Sequence, residues 1–292
     1  MTQAGRGHLA MLAFSALVAG SFSLGALAAP LISAPALTLV RFAIAAGLVG
    51  LAAWAKGKTA QAFVAPWRYL VLGGFLALYF VLMFIGLQTA AAVPTAAVFT
   101  LTPVMAAGFG WLLLRQITSP RMALALALGG AGALWVIFRG DVASLIRLDI
   151  GQGEVVYFVG CIAHAVYAPM VRRLNRGESA LTFTFGTLVA GFVWLLPWGA
   201  PAALQTDWAA LPAIVWICLA YVAIAASALT FVLLQYATLR LPSAKVMAYT
   251  YLVPCWVILW EVALGHQPPP LSVLTGVALI LAALALLLKN EG

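Results

Sequence analysis

Ten runs of about twenty apolar residues, separated by short charged or proline-bearing connections, leave this chain few ways to fold. A helix needs roughly twenty residues to cross a hydrocarbon layer of about 30 Å, and in lipid every backbone N–H and C=O must find its partner inside the protein. The runs cover residues 8–29, 36–55, 66–87, 91–114, 120–139, 153–172, 181–198, 210–235, 242–264 and 270–288. They predict an all-α integral membrane protein with ten transmembrane helices. Composition agrees: 65% of the 292 residues are hydrophobic, 8% are charged, and the mean hydropathy is +1.10, whereas soluble domains run near 25% charged. The formal charge of +8 would suggest nucleic acid in a soluble protein. Here the basic residues stand at the ends of apolar runs, so the expected partners are the lipid bilayer and a small-molecule substrate, not nucleic acid, with the chain a monomer or homodimer.

The first run needs one check, because Arg6 followed by an apolar stretch and Ala26-Leu27-Ala28 imitates a cleaved signal peptide. A signal core is about 7–15 residues. The run here is longer, and it is read as a retained first span. Cys161, Cys218 and Cys255 all fall inside apolar runs and have no metal-ligand spacing.

Charge sets the orientation. Arg6, then Lys56, Lys58 and Arg68, then Arg115 and Arg121, then Arg172, Arg173 and Arg176, then Arg240 and Lys245, and finally Lys289 occupy alternate connections. These are twelve of the fifteen basic residues, and by the positive-inside rule they place both termini in the cytoplasm. Asp141, Asp149, Glu154, Asp207 and Glu261 lie toward the other side. Acidic residues add little weight to topology.

Two runs share a further design. Pro94 to Leu114 carries Pro103 inside it, and Pro242 to Leu264 carries Pro254. An interior proline removes a helical hydrogen bond and kinks the rod. Matched interrupted segments in two halves of a chain point to a transporter binding site. The two are the fourth and ninth runs, five apart, so they cross in opposite directions: two inverted five-helix repeats, residues 1–145 and 146–292. Leu87-Gln88 before one and Leu234-Gln235 before the other, and glycines in the fifth run (Gly129, Gly130, Gly132) and tenth (Gly276), support duplication.

The chain resembles the drug/metabolite transporter superfamily, in particular its EamA-type ten-helix members. Ala19-Gly20-Ser21-Phe22 looks like the family's Trp-Gly-Ser-Asn-Phe region, Pro35 and Arg41-Phe42 follow it, and Ala90 to Ala97 leading to Leu101-Thr102-Pro103 is similar to the family's alanine-rich run into a proline. Two departures mark a divergent subfamily. The family's Leu-Gly-Glu appears as Leu114-Arg115-Gln116 and Leu264-Gly265-His266, and the first-helix tryptophan is absent. The nearest subtype is the YddG-type exporter of aromatic amino acids. The resemblance implies export of amphipathic amino acids and related metabolites across a bacterial inner membrane.

Ionisable and polar groups inside a bilayer are costly, so each is a candidate site residue. His164 stands near the middle of the sixth run, with Tyr167 one turn on. Tyr79 lies deep in the third, Phe99 and Thr100 one turn before Pro103, and Tyr249 and Tyr251 just before Pro254. Aromatics interleaved with hydroxyls suit a ring-bearing amphipathic solute; ordinary packing is the competing reading. Ser21 and Phe22 join the set through the resemblance, although small residues in the first run, such as Gly20 and Gly25, also suit close helix packing. Pro103 and Pro254 are the candidate hinges. Arg41 and Glu261, each about a turn inside a run, could snorkel to the interface, pair with an opposite charge, or gate the outer mouth.

Absences discriminate between mechanisms. The first run has no acid, against a four-helix-type cation antiporter, so facilitated diffusion by alternating access stands beside antiport. A proton-coupled cation or drug exporter remains the alternative, working through His164 or Glu261. Nothing resembles His-Glu-x-x-His, Gly-x-Ser-x-Gly or a phosphate loop, so neither enzymatic activity nor a cofactor is expected. The interrupted helices four and nine, together with the resemblance and the places where polar residues fall, imply a central cavity between helices one, three, four, six, eight and nine, with five and ten peripheral.

Overall fold

Hydroxyl side chains at the heads of the apolar runs start several of the helices. The side chains of Thr2, Ser33, Ser119 and Ser179 accept the backbone N–H of Gly5, Ala36, Met122 and Thr182, each cap contributing about 1 kcal/mol. The computed structural model describes residues 2–57, 64–147 and 150–288. Lys58, Asp149 and Lys289 lie outside the described residues.

The helices are α1 (Gln3–Ala28), α2 (Ala34–Ala55), α3 (Trp67–Gly86), α4 (Ala92–Leu114), α5 (Pro120–Ile137), α6 (Gln152–Leu174), α7 (Ala180–Gln205), α8 (Ala213–Thr238), α9 (Lys245–Ala263) and α10 (Leu271–Leu288). Among the described residues there is no strand, and the first nine are long and apolar enough to span a membrane, with α10 a shorter apolar helix. A short helix, Val142–Arg147, lies between α5 and α6. Trp54, Leu51, Trp198 and Leu259 are largely exposed on the bundle's flanks, as expected where lipid replaces water.

Several boundaries and breaks differ from the sequence reading. The helix α7 does not stop at residue 198 but runs through Pro197 and Pro201 to Gln205. These prolines are four apart, so their missing N–H groups fall on one strip of the helix and the remaining hydrogen-bond ladder carries on. An interior proline does not by itself break a helix here, because α6 stays helical through Pro169. A third interruption has no proline at all: Ile224–Leu229 of α8 winds as a π-helix.

At the two expected breaks the chain repairs itself differently. In α4 the helical pieces Ala92–Phe99 and Thr102–Leu114 meet at Thr100 and Leu101. The Thr102 hydroxyl donates to the Phe99 carbonyl at 2.5 Å, the carbonyl that Pro103 cannot serve. In α9 the stretch Tyr249–Leu252 tightens to a 3-10 turn, and the Val253 N–H reaches the Thr250 carbonyl left open by Pro254.

Packing runs mostly between the first five helices and the last five: α2 on α7, α3 on α6 and α7, α1 on α8 and α9, α4 on α6 and α9, α5 on α10. Glycines set the closest crossings. A Cβ at Gly86 of α3 would lie 2.6 Å from the Gly153 carbonyl of α6, and one at Gly132 of α5 would lie 2.7 Å from the Gly276 carbonyl of α10. Small residues allow such backbone approach in a bilayer, where dispersion contacts replace the hydrophobic effect as glue. The helices α5 and α10 pack chiefly on each other.

One end of the bundle carries most of the basic residues. There Arg68 is buried, 2.5 Å from Glu178, and donates to the carbonyls of Leu174, Val64 and Ala65. At the opposite end Glu261 pairs with His266 at 2.7 Å.

Candidate functional site

Helical arithmetic brings the aromatic residues of five helices to one place. Phe14, Val18 and Ser21 follow one face of α1 at spacings of four and three, while Tyr79, Phe80 and Met83 share neighbouring positions on α3. With Phe99 of α4, His164 of α6, and Ala226 and Phe231 of α8 they enclose a cavity of about 10 Å3, roughly room for one water.

The walls are ring against ring. Tyr79 lies 4.5 Å from the His164 ring, 5.9 Å from Phe99 and 5.8 Å from Tyr157, centroid to centroid. The Tyr79 and Tyr157 hydroxyls share a hydrogen bond at 3.0 Å. Phe22 stands behind the lining, 5.9 Å from Phe99 and 5.8 Å from Tyr157. His164 is 3% exposed, and its Nδ1 has no hydrogen-bond partner. A buried ring nitrogen without a partner costs about 1–3 kcal/mol. Tyr167 stacks on the far side of His164 at 6.2 Å and accepts a hydrogen bond from Gln235 Nε2 at 2.8 Å.

Not every residue singled out in the sequence comes here. Helix α9 contributes no lining residue. Tyr249 points to the basic end, where its hydroxyl meets His8 Nδ1 at 3.0 Å, and Tyr251 packs its ring against Gly129 of α5. The 3-10 winding of this stretch gives the two tyrosines different faces, and neither face is the cavity's. Thr100 turns its hydroxyl back on the Ala97 carbonyl at 2.6 Å. Gly20 abuts Tyr221, so that part of α1 serves packing.

Arg41 departs most from expectation. It does not snorkel to an interface and it has no acidic partner among the described residues. It is fully buried, with Nε on Ser227 Oγ at 2.5 Å, Nη2 on the Ala226 carbonyl at 2.7 Å, and its guanidinium carbon 3.6 Å from the Phe80 ring centroid. Both Ala226 and Ser227 belong to the π segment of α8. Glu261 sits in its pair with His266, away from the cavity lining.

Sequence reasoning missed Phe14, Phe80, Tyr157, Phe231 and the π segment. Tyr157 was within reach, since Tyr157 and His164 are seven residues apart on one helix face. The π segment carries neither glycine nor proline and gave no signal.

Outside the central cavity a wider cleft of about 410 Å3 opens at the basic end, bordered by Gln116, Met122, Arg172, Pro242 and Lys245 among others. It is a surface feature lined in large part by loop residues.

Comparison with known proteins agrees with this architecture. A solved crystal structure of another protein matches with a TM-score of 0.74 at 19% identity, over 97% of this chain and 95% of that one, which shows a shared fold. The uncharacterized transporter YyaM of Bacillus subtilis (strain 168) is 25% identical over 284 residues, covering 95% of this chain and 92% of its own length. The EamA-like transporter family matches twice, at residues 5–138 and at 151–289. With nearly its whole length matched by that family, and with helices apolar and long enough to cross a bilayer many times, this chain belongs to the EamA-like transporter family and is a multi-pass membrane transporter.

Proposed function

We propose that the chain exports amphipathic amino acids, aromatic ones foremost, together with related small metabolites, by alternating access through the central cavity. The observation that carries this reading is the cavity wall itself: Ser21, Tyr79, Phe99 and His164 from four helices around one void, with Phe22, Tyr157 and Tyr167 packed behind. Such a lining, mostly aromatic with few polar atoms, suits a ring-bearing solute with a polar end. The unpartnered Nδ1 of His164 offers a hydrogen-bonding group that a substrate could satisfy.

The same reading holds that residues 1–145 and 146–292 are inverted repeats in a ten-helix bundle with both termini in the cytoplasm of a bacterial inner membrane. The double family match supports the duplication, and the α3–α6 contact has its counterpart in α8–α1. Pro103 and Pro254 would serve as deformable points. Ligand pockets hold about 300–1,000 Å3 against about 10 Å3 here, so the cavity must widen in each cycle.

Counterflow of labelled amino acids in proteoliposomes tests this. Uptake of phenylalanine or a similar amino acid is expected, reduced about tenfold or more by His164→Ala and by Tyr79→Ala, in line with the loss of one placed contact of about 1.4 kcal/mol or more. Unchanged uptake in both variants would remove the cavity from the pathway.

A further inference from the structure

A cation buried in a bilayer is expected to meet an anion, backbone carbonyls or water, and Arg41 is only partly served: it has one carbonyl, one hydroxyl and no anion among the described residues. Its guanidinium has five N–H donors. The described partners are one hydroxyl, Ser227 Oγ, and one carbonyl, Ala226 O, and Nη1 is buried with no hydrogen-bond partner. The ion pairs among the described residues belong to Arg68 and His266, and Glu178 and Glu261 are thereby engaged elsewhere. A positive charge is thus held deep in the bundle with no counter-charge among the described residues.

Its position relates it to the cavity. Phe80, which carries the guanidinium on one face, and Ala226, whose carbonyl receives Nη2, are both lining residues. The remaining polar lining atoms come from Ser21, Tyr79 and His164, and none of these is an anion that would recognise an ammonium group. The wider surface cleft at the basic end is bordered by Arg172 and Lys245 and by no carboxylate, which favours anions at that surface.

We propose that Arg41 is the anchor for the carboxylate of the transported solute, and that the transporter therefore selects an anionic carboxylate joined to an apolar ring or chain, with the α-amino group dispensable. This rests on the central cavity being the transport site. Widening the cavity between α3 and α8 brings Nη1 within reach of the solute, while Ser227 and Ala226 keep the planar fork oriented. Phe80 and Phe231, whose rings stack at 5.5 Å, receive the apolar part.

The test uses the full chain in proteoliposomes and three probes of one shape: phenylalanine, 3-phenylpropionate, which lacks the amine, and phenethylamine, which lacks the carboxylate. Phenylpropionate is expected to compete with labelled phenylalanine within about threefold of unlabelled phenylalanine, and phenethylamine to compete at least tenfold more weakly. Arg41→Gln is expected to weaken both carboxylates tenfold or more, with Arg41→Lys between. Equal competition by phenethylamine, or a folded Arg41→Gln chain with unaltered carboxylate competition, overturns the anchor. The probe series in the unaltered chain decides even where Arg41→Gln fails to fold. Thermal-shift binding of phenylpropionate separates the two proposals. A shift abolished by Arg41→Gln without any amino-acid counterflow keeps the anchor and rejects the amino-acid reading, whereas counterflow with amine competition rejects the anchor alone.

Discussion

Arg68 and Arg41 are both wholly buried, and the chain treats their charges in opposite ways. Arg68 is neutralised by Glu178 and ties the start of α3 to the carbonyl of Leu174 at the end of α6. Removing a buried partner from such a pair costs about 3–5 kcal/mol; Glu178 keeps some contact with water, its side chain being 9% exposed, so Glu178→Gln is expected to cost about 2 kcal/mol. Its titration carries a sign. Burial pushes the Glu178 carboxyl up, but the Arg68 guanidinium and the Arg176 backbone N–H outweigh burial and hold it below the ordinary 4.5. A depressed carboxylate stabilises the fold above its unfolded value and loses that contribution as pH falls through its folded one. The thermal midpoint of the purified protein should therefore drop more below pH 4.5 in the native chain than in Glu178→Gln; equal drops would show that the pair does not govern acid stability. Arg68 and Arg41 look alike in the sequence, each a single arginine near the end of an apolar run. The difference between them depends on what a helix from the other half brings alongside.

The elements of this bundle are held at distances fixed by glycine. Gly86 of α3 and Gly153 of α6 face each other so closely that a Cβ on either would fall within 2.6 Å of the other's carbonyl. Backbone cannot move aside as a side chain can, so Gly86→Ala is expected to push α3 from α6 and destabilise by about 1–3 kcal/mol, disturbing the Tyr79 to Tyr157 hydrogen bond. Gly47→Ala, where nothing lies within 4 Å, should be neutral or stabilising by up to about 1 kcal/mol. Thermal melts of the two variants check the contrast, and similar midpoints would show that the crossing tolerates expansion. Element existence was legible in the sequence because a bilayer demands long uninterrupted apolar runs. Element irregularity was legible only where proline causes it. The π segment of α8 was hidden because its stabilising partner, Arg41, is far away in sequence. The end of α7 was hidden because two prolines four residues apart look like a stop in a soluble helix and need not be one in lipid.

At the scale of the whole molecule, the sequence revealed the helices' order and the family, and it located the centre of the candidate site through His164, Tyr79 and Phe99. It could not orient α9, because Tyr249 and Tyr251 sit in a turn whose winding departs from 3.6 residues per turn. Nor could it show that the cavity is nearly closed, since closure depends on how rings from five helices interlock rather than on any one helix. Closing and reopening such a cavity moves water. In the proposed alternating-access cycle, a pocket that shrinks to about 10 Å3 and reopens to at least the roughly 300 Å3 typical of ligand sites would take up and expel on the order of ten waters per cycle, at about 30 Å3 each. Such a cycle would have osmotic work in it. Counterflow should slow as a polymer too large to enter the pocket is added equally on both sides of the membrane, and a rate indifferent to it would mean that the rings part for the solute without ever admitting bulk water.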